Sequence, residues 1–510
     1  MNHGWAPEWT QLAVKNDDWR HLPYHIKNVS PLNQDQLEQL PASEETVNRW
    51  RTAKKWLTEP YTKMTRPGKF VEADLDEAAV TKMLDCGHCV AFDPSEVKGV
   101  VRIFPVPEVQ KHRQRIIKHT ADLNDLYQRD TLMGTKFLSR QSLIDSVRKG
   151  RFAITLDFAA WFDEFELGER VRCYFGFTFK GRTYVLTRLA MGQRQAVDIA
   201  AAATDLIMDF PCVGVYRDAH VDNVRFISDD GEALVAAVLT FLQRCETVGA
   251  TVNEVDPLTR VDHDTVNAMV VTQGTYLGVE FDYAGQRIRV GEKTVKKLEA
   301  TTAILDSGEF SHRLYLGHMA LLFYSSPILN LNVAQHYYAI REYSRISSRL
   351  QREPWNLDAP LHMAASRMAV LKKWTREVLR NEWRQVTEKK PTRHVVVVDA
   401  SKWGWGAVIL DLETGAVIQE QEQWGSDYKG RRKSTWAEPE GIKCVILKAF
   451  SKEARTRVLV LTDSAAAKGA FGKGRSMVYA LNKAILCVAQ ERPRARVGSQ
   501  AHQGNPQPRR

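Results

Sequence analysis

Residues 151–167 read RFAITLDFAAWFDEFEL, and no other stretch leaves the chain fewer choices. Ile154, Leu156 and Phe158 alternate with Ala153, Thr155 and Asp157, the two-residue period of a strand with one packed face. The other face carries the Asp157 carboxylate into a cleft at the strand end. The aromatic pair Trp161 and Phe162 follows in the next turn. Residues 174–186 (YFGFTFKGRTYVL) read as a hairpin of apolar strands around Lys180 and Gly181. His220, Val221, Asp222 and Asn223 stand immediately before another strand, at 224–227. Two strand-borne acids, far apart in sequence, suggest one shared metal site.

Charge narrows the partner. Lys and Arg number 71 against 61 Asp and Glu, and the formal charge of +10 favours a polyanion over a small acidic substrate. A length of 510 residues exceeds one ordinary core and fits roughly three or four packed units. No apolar run approaches bilayer length, and MNHGWAPEWTQL lacks the apolar centre of a signal peptide, so a soluble intracellular protein with no membrane partner is expected. Seven cysteines, an odd number, imply free thiols in a reducing compartment. Only Cys86, His88 and Cys89 are closely spaced. They supply half a zinc site at most, with no second pair at matching spacing, so plain thiols are the expectation.

Residues 1–85 form an N-terminal extension with Trp5, Trp9, Trp19 and a helix at 44–57, capped by Ser43, with Val47, Trp50, Ala53 and Leu57 on one side. Nothing in this extension names a chemistry. Residues 99–127 read as a strand pair whose turn is crowded by Lys111, Arg113 and Arg115. Helices follow at 195–210, rich in alanine, and at 231–253, where Leu234, Val238, Leu242 and Cys245 make one stripe. Beyond 291 the pattern turns helical, opened by Lys293, Lys296 and Lys297. Tyr315, Phe323, Tyr324, Tyr337, Tyr338 and Tyr343 read chiefly as helix core, with base stacking along a single strand as the alternative. A charged, proline-containing linker at 388–392 precedes a buried strand at 395–398 ending at Asp399. Gly404, Gly406 and the Thr414 and Gly415 turn make a hairpin. Glu438 then opens a helix at 439–450, and a strand at 458–462 ends at Asp463. Three acids converge from two strand ends and one helix.

These segments, in this order, resemble the reverse transcriptases of retroelements. LDFAAWF resembles the first palm motif, TRLAMGQRQA the second and HVDN the tyrosine-x-aspartate-aspartate hairpin. TYLGVEFD resembles the glycine turn that holds the primer end, here Leu277 and Gly278. VVVVDASKWGWGAVIL, WAEPEGIKCVIL and VLVLTDSAAA resemble the first three acid-bearing motifs of a ribonuclease H domain. Their direct coupling to the polymerase motifs resembles the tyrosine-recombinase retroelements of the DIRS and VIPER groups. The resemblance implies an α+β right-hand polymerase followed by an α/β ribonuclease H-like domain. Fingers and palm would span 86–290, thumb and connection helices 291–390, and the ribonuclease H-like domain with its basic tail 391–510.

It also implies roles. Asp157 and Asp222, with Asn223 and the Phe158 carbonyl, would hold Mg2+, with Mn2+ as a possible substitute. Asp399, Glu438 and Asp463 would hold metal in the second domain. Lys111, Arg113 and Arg115 would meet the triphosphate, Arg115 standing nine residues before Asn124 as the family's arginine does. Gly192 and Gln193 would let the backbone approach the incoming base pair, and Phe162 would exclude a 2′ hydroxyl. The implied partners are an RNA template, a DNA primer, RNA-DNA hybrid and deoxynucleoside triphosphates.

The chain departs from the family at several places. Asn223 stands where the family has a second aspartate, His119 where it has an aspartate, and Ala190 and Val197 where it has prolines. No Asp or Glu follows Glu491, although His502, Gly504 and Asn505 resemble the family's histidine loop. The ribonuclease H-like domain is therefore expected to be weak. Tyr216, Arg217, Asp218 and Ala219 offer a second alignment of the hairpin, and Asp222 is preferred because the strand VRFI begins directly after it. A decayed or domesticated copy that binds nucleic acid without catalysis is the alternative function.

Overall fold

In the computed structural model of the chain the described residues are 17–59, 69–108, 111–124, 134–256, 261–388, 391–425, 434–450 and 457–491. Trp5, Trp9, Lys389, Lys390 and the basic tail with His502, Gly504 and Asn505 lie outside them. The protein mixes helices and sheets and divides into two units, Met1–Gly291 and Glu292–Arg510. Among the described residues no helix is long and apolar enough to cross a membrane.

In the first unit Ser43 caps α1 (Glu44–Thr58), its hydroxyl accepting from the Thr46 amide at 3.4 Å. Trp50, Ala53, Trp56 and Leu57 of α1 are buried. α2 (Glu77–Asp85) leads into β1 (Cys89–Ala91). β2 (Arg102–Glu108) and β3 (Arg113–His119) form a hairpin, with Arg102 opposite His119 and Glu108 opposite Arg113. After β4 (Phe152–Asp157), β5 (Gly176–Phe179) and β6 (Arg182–Leu186) turn at Lys180 and Gly181, both at positive φ, and β1 joins the outer side of β6. α3 (Ala196–Met208) buries Ala200 to Ala203, whose small side chains permit close packing.

β7 (Val215–His220) and β8 (Asn223–Ser228) complete a sheet of order β4-β8-β7. α4 (Gly231–Val248) packs on it and is shorter than the periodicity of its apolar stripe predicts. Gly249 takes φ 74, a left-handed conformation that favours glycine, and ends the helix there. The residues expected to continue the helix make a bridge and a turn instead, with Val252 bridged to Phe158 and Asn253 and Glu254 in the turn. β9 (Gln273–Tyr276), β10 (Val279–Asp282) and β11 (Arg287–Val290) then pair antiparallel in succession.

The second unit holds two hydrophobic clusters. One lies among α5 (Glu292–Ser307), α6 (His312–Ile328), α7 (Tyr337–Arg352) and α8 (Ala365–Leu379). Its aromatics are mostly core: Tyr315 is buried, and Phe323 meets Tyr343 and Trp374 edge-on, both at 5.3 Å. Tyr338, at 60% exposed, is the exception.

The other cluster lies among β12 (His394–Ala400), β13 (Gly404–Asp411), β14 (Val417–Gln423), α9 (Ser434–Ala449), β15 (Val458–Leu461), α10 (Ala465–Lys473) and α11 (Tyr479–Glu491). The strand order is β14-β13-β12-β15, and the parallel β12–β15 pair is possible because α9 supplies the crossover. Two expectations change here. β12 is buried on one face only, with Val396 and Val398 inside and Val397 49% exposed. α9 begins a turn before Glu438, with Ala437 buried in the core and Pro439 inside the helix.

Candidate active site

The site grows from the end of β4. Asp157 is the last residue of that strand and pairs in register with Asn223, the first residue of β8. Asp222 occupies the tight turn between β7 and β8, and its carbonyl accepts from the Phe158 amide at 2.9 Å. Val221, just before it, sits at φ 61. A β-branched residue in the left-handed region stores on the order of 1–2 kcal/mol of strain. The Thr204 hydroxyl steadies that turn by donating to the Val221 carbonyl at 2.5 Å. Thr204 in turn receives the Trp161 indole N–H at 3.1 Å, and Trp161 stacks on Phe158 with centroids 4.0 Å apart. The apolar residues around Asp157 thus form the rigid floor on which the two acids stand.

Three residues that the sequence did not single out complete the acidic corner. The turn after Val252 brings the Asn253 amide nitrogen to the Asp157 carbonyl at 2.8 Å, and its side-chain Nδ2 to Asp157 Oδ2 at 2.8 Å. Asn253 Nδ2 also reaches the Phe158 carbonyl at 3.4 Å. Glu254 Oε2 accepts from the Asp157 amide at 3.0 Å. Lys27, from the N-terminal extension, donates to Asn253 Oδ1. The only prior signal was the glycine at 249, which marks a helix end but says nothing about what the following residues touch.

Burial, and next the adjacent Asp222 carboxylate, push Asp157 up to about 6, against the hydrogen bond from Asn253. Two carboxylates at one corner of a cleft, with the Phe158 and Asp222 carbonyls and the Glu254 carboxylate close by, fit a hard divalent cation such as Mg2+. Among the described residues no group of three or more His, Cys, Asp and Glu stands together as a metal cluster. Any cation at Asp157 and Asp222 must therefore take further oxygens from backbone, water or substrate. Asn223 does not face away: its Nδ2 donates to Asp222 Oδ1 at 3.1 Å and occupies one of that carboxylate's oxygens.

The two acids open onto a cleft of about 680 Å³ that β3 and the turn around Gly192 also line. Lys111, Arg113 and Arg115 all line it. Arg113 is paired with Glu108, whereas Arg115 Nη2 meets the Met191 sulfur at 3.1 Å. Lys118, on the same wall, is paired with Asp163 beside Phe162. A Cβ at Gly192 would meet the Lys118 carbonyl at 3.2 Å and Thr120 Oγ1 at 3.3 Å, so a side chain there would press on the wall. Asn124 clamps this turn, donating to the Gly192 carbonyl at 2.8 Å and accepting from the Arg194 amide at 2.8 Å. Gln193 is buried beside it with Oε1 lacking a hydrogen-bond partner. Phe162 is 8% exposed and lines the cleft one turn after Asp157. Leu277 and Gly278, at φ 48 and 76, make the β9–β10 turn.

The competing hairpin alignment loses its carboxylate. Asp218 lies within β7 opposite Arg225, and the two form a buried ion pair with side chains 5% and 0% exposed. Burial pushes the Cys89 thiol up to about 12 and His88 down to about 4, and the neighbouring Gly87 carbonyl accepts from Thr187 and Arg188.

In the second unit Glu438 Oε1 accepts from the Ala400 amide at 3.2 Å and Oε2 from the Thr462 hydroxyl at 3.3 Å. Burial, and then the Asp463 and Asp399 carboxylates, raise its pKa. Asp399 and Asp463 are thus each near enough to act on Glu438, and Asp399 is exposed near its strand end.

The chain matches no family model, and no curated protein matches it. Among solved structures it is similar to the foamy viral protease-reverse transcriptase in complex with RNA/DNA hybrid, at TM-score 0.49 and 12% identity over 96% of this chain and 67% of that one. It is also similar to the foamy viral protease-reverse transcriptase dRH in complex with ds DNA, at TM-score 0.47 and 13% identity over 95% of this chain and 84% of that one. At this distance the likeness bears on neither family membership nor chemistry.

Proposed function

We propose that the chain is an RNA-directed DNA polymerase of a retroelement with an attached ribonuclease H-like domain. The observation that carries this reading is that Asp157 and Asp222 line one cleft together with Arg115 and the bare turn at Gly192. Bound Mg2+ at the two acids would supply activation of a primer hydroxyl and neutralisation of phosphate charge. The remaining work falls to side chains of the chain itself. Arg115 offers a planar fork of donors to phosphate oxygens, and Lys111 adds charge at the mouth. Gly192 leaves room for a base pair against the backbone. Phe162 fills the space beside the sugar. The test is extension of a DNA primer on an RNA template by the purified protein with Mg2+. No extension with Mg2+ or Mn2+ would overturn the proposal.

Phe162→Val should raise incorporation of ribonucleotides relative to deoxynucleotides by roughly 10- to 200-fold, the worth of one group in an apolar pocket. Single-nucleotide kinetics measure that ratio. An unchanged ratio would make Phe162 a core aromatic only.

One observation favours the second reading, a chain that binds nucleic acid without catalysis. The Asn223 amide ties up one oxygen of Asp222, where a second carboxylate would have offered ligands. The same extension assay separates the two, since a pure binder retains template affinity but adds no nucleotide.

For the second domain we propose ribonuclease H-like chemistry at Asp399, Glu438 and Asp463. Because these three acids do not stand together as a preformed metal cluster, cleavage of the RNA strand of a hybrid should be slow in Mg2+ and faster in Mn2+, whose geometric demands are looser. Rapid quantitative cleavage in Mg2+ that is lost on Asp463→Asn would show that three acids suffice.

A further inference from the structure

The N-terminal segment reaches the acidic corner through one side chain, Lys27. An ammonium can only donate, so the Asn253 side chain must turn Oδ1 toward Lys27 and therefore its NH2 toward Asp157. An asparagine left alone could present either end to a carboxylate, and the wrong end would set oxygen against oxygen. We propose that Lys27 is a positioning residue of the polymerase site: it fixes the Asn253 amide, which then holds Asp157 Oδ2 and leaves Oδ1 for a divalent cation. This inference rests on the polymerase reading of the same site.

Lys27 is built into place from both sides. Upstream, the buried Gln114 of β3 accepts the His25 amide on its carbonyl at 2.7 Å, donates its own amide to Pro23 at 2.8 Å, and sends Nε2 to the Arg20 and Leu22 carbonyls at 2.7 and 2.6 Å. Downstream, the Leu32 amide donates to the Glu164 carbonyl at 2.7 Å and the Asn33 amide to the Val248 carbonyl at 2.8 Å. Ile26 and Val29 are buried on either side of Lys27. A lysine held this firmly at the edge of a cleft loses little entropy when it aims its head at one acceptor.

The experiment compares full-length wild type with Lys27→Met, Lys27→Arg, Asn253→Ala and the Lys27→Met, Asn253→Ala double variant. Groups that orient metal ligands typically change metal affinity or activity by roughly 10- to 100-fold, and Lys27→Met should lower kcat for primer extension by about 10-fold with KM for nucleotide little changed. Lys27→Arg, also a pure donor, should restore most of the rate. The double variant should be no slower than Asn253→Ala alone, because both act through one amide. A second readout needs no turnover: Mn2+ binding to the free protein, followed by the resonance signal of the unbound ion. Lys27→Met should weaken that binding although it removes a like charge. Tighter binding would show that Lys27 merely opposes the metal, and would sink the inference. So would a raised KM that persists in the Asn253→Ala background, which would mean that Lys27 touches the nucleotide. A wild type that extends no primer overturns the polymerase reading instead, and the Mn2+ comparison still decides the role of Lys27. Thermal melting of each variant separates these outcomes from loss of fold.

Discussion

Asp157→Asn is expected to abolish primer extension, with a loss on the order of a thousandfold or more, while template binding stays close to wild type. The amide keeps the shape of the carboxylate, so the hydrogen bonds from Asn253 and to Glu254 are perturbed at one atom only. What is lost is charge, and the cleft needs charge to hold a cation. Binding of the template should survive because the basic residues on the cleft wall are untouched. Equal extension by wild type and variant would remove Asp157 from the chemistry.

The same variant should be more stable than wild type when chelator keeps divalent ions away. The Asp157 carboxyl is held above its unfolded value of 3.8, at about 6, so the fold pays for its ionisation as pH rises through that interval. Below about pH 4 both states are protonated and the cost vanishes. Above about 6 it is complete. Because the group is partly solvated, the gain for Asp157→Asn at pH 7.5 should amount to only about 1 kcal/mol. Melting curves at pH 7.5 and below 4 check this, and a variant less stable than wild type at pH 7.5 would mean that the carboxylate is supported by its surroundings.

The largest effect on stability belongs to Asp218. Arg225 is wholly buried in β8, with Nη2 at 2.5 Å and Nε at 3.2 Å from the two Asp218 oxygens. Nη2 also donates to Ser146 Oγ at 2.7 Å, and the guanidinium lies 4.3 Å from the Tyr276 ring centre and 4.7 Å from that of Phe281. The pair therefore ties the β7–β8 hairpin to the β9–β10 strands. Removing one partner strands a charge in a dry interior, and Asp218→Ala should cost about 3–5 kcal/mol. Replacing both partners by apolar residues, Asp218→Leu with Arg225→Met, should recover much of that loss. Denaturant titration of the first unit measures both. If the double variant folds but still extends primer, Asp218 is structural; if it folds and is inactive, the hairpin's catalytic acid is Asp218 after all.

Several elements were legible in the sequence alone because their signals are local. The alternation through residues 152–157 marks β4, the Lys180 and Gly181 pair marks the β5–β6 turn, and Ser43 marks the start of α1. Period, turn chemistry and caps depend on neighbours a few residues apart, and one sequence displays those directly. The ambiguity between Asp218 and Asp222 was of another kind. Both stand at strand-like positions, and only the partner of each carboxylate, Arg225 for one and the open cleft for the other, separates them.

The tertiary structure alone decided the rest. α4 was expected to run through Asn253, but the left-handed Gly249 ends it and delivers Asn253 to an aspartate 96 residues earlier in the chain. Lys27, in a segment whose composition names no chemistry, meets Asn253 across 226 residues. The aromatics of α6 and α7 could have stacked bases, yet Tyr315 and Phe323 pack inward and only Tyr338 stands in solvent. Contacts of this range leave no period in the sequence, because any lysine or asparagine satisfies its own local rules equally well wherever it points. The strand, turn and cap signals fixed where Asp157 and Asp222 could stand; the packing of distant segments determined which side chains surround them.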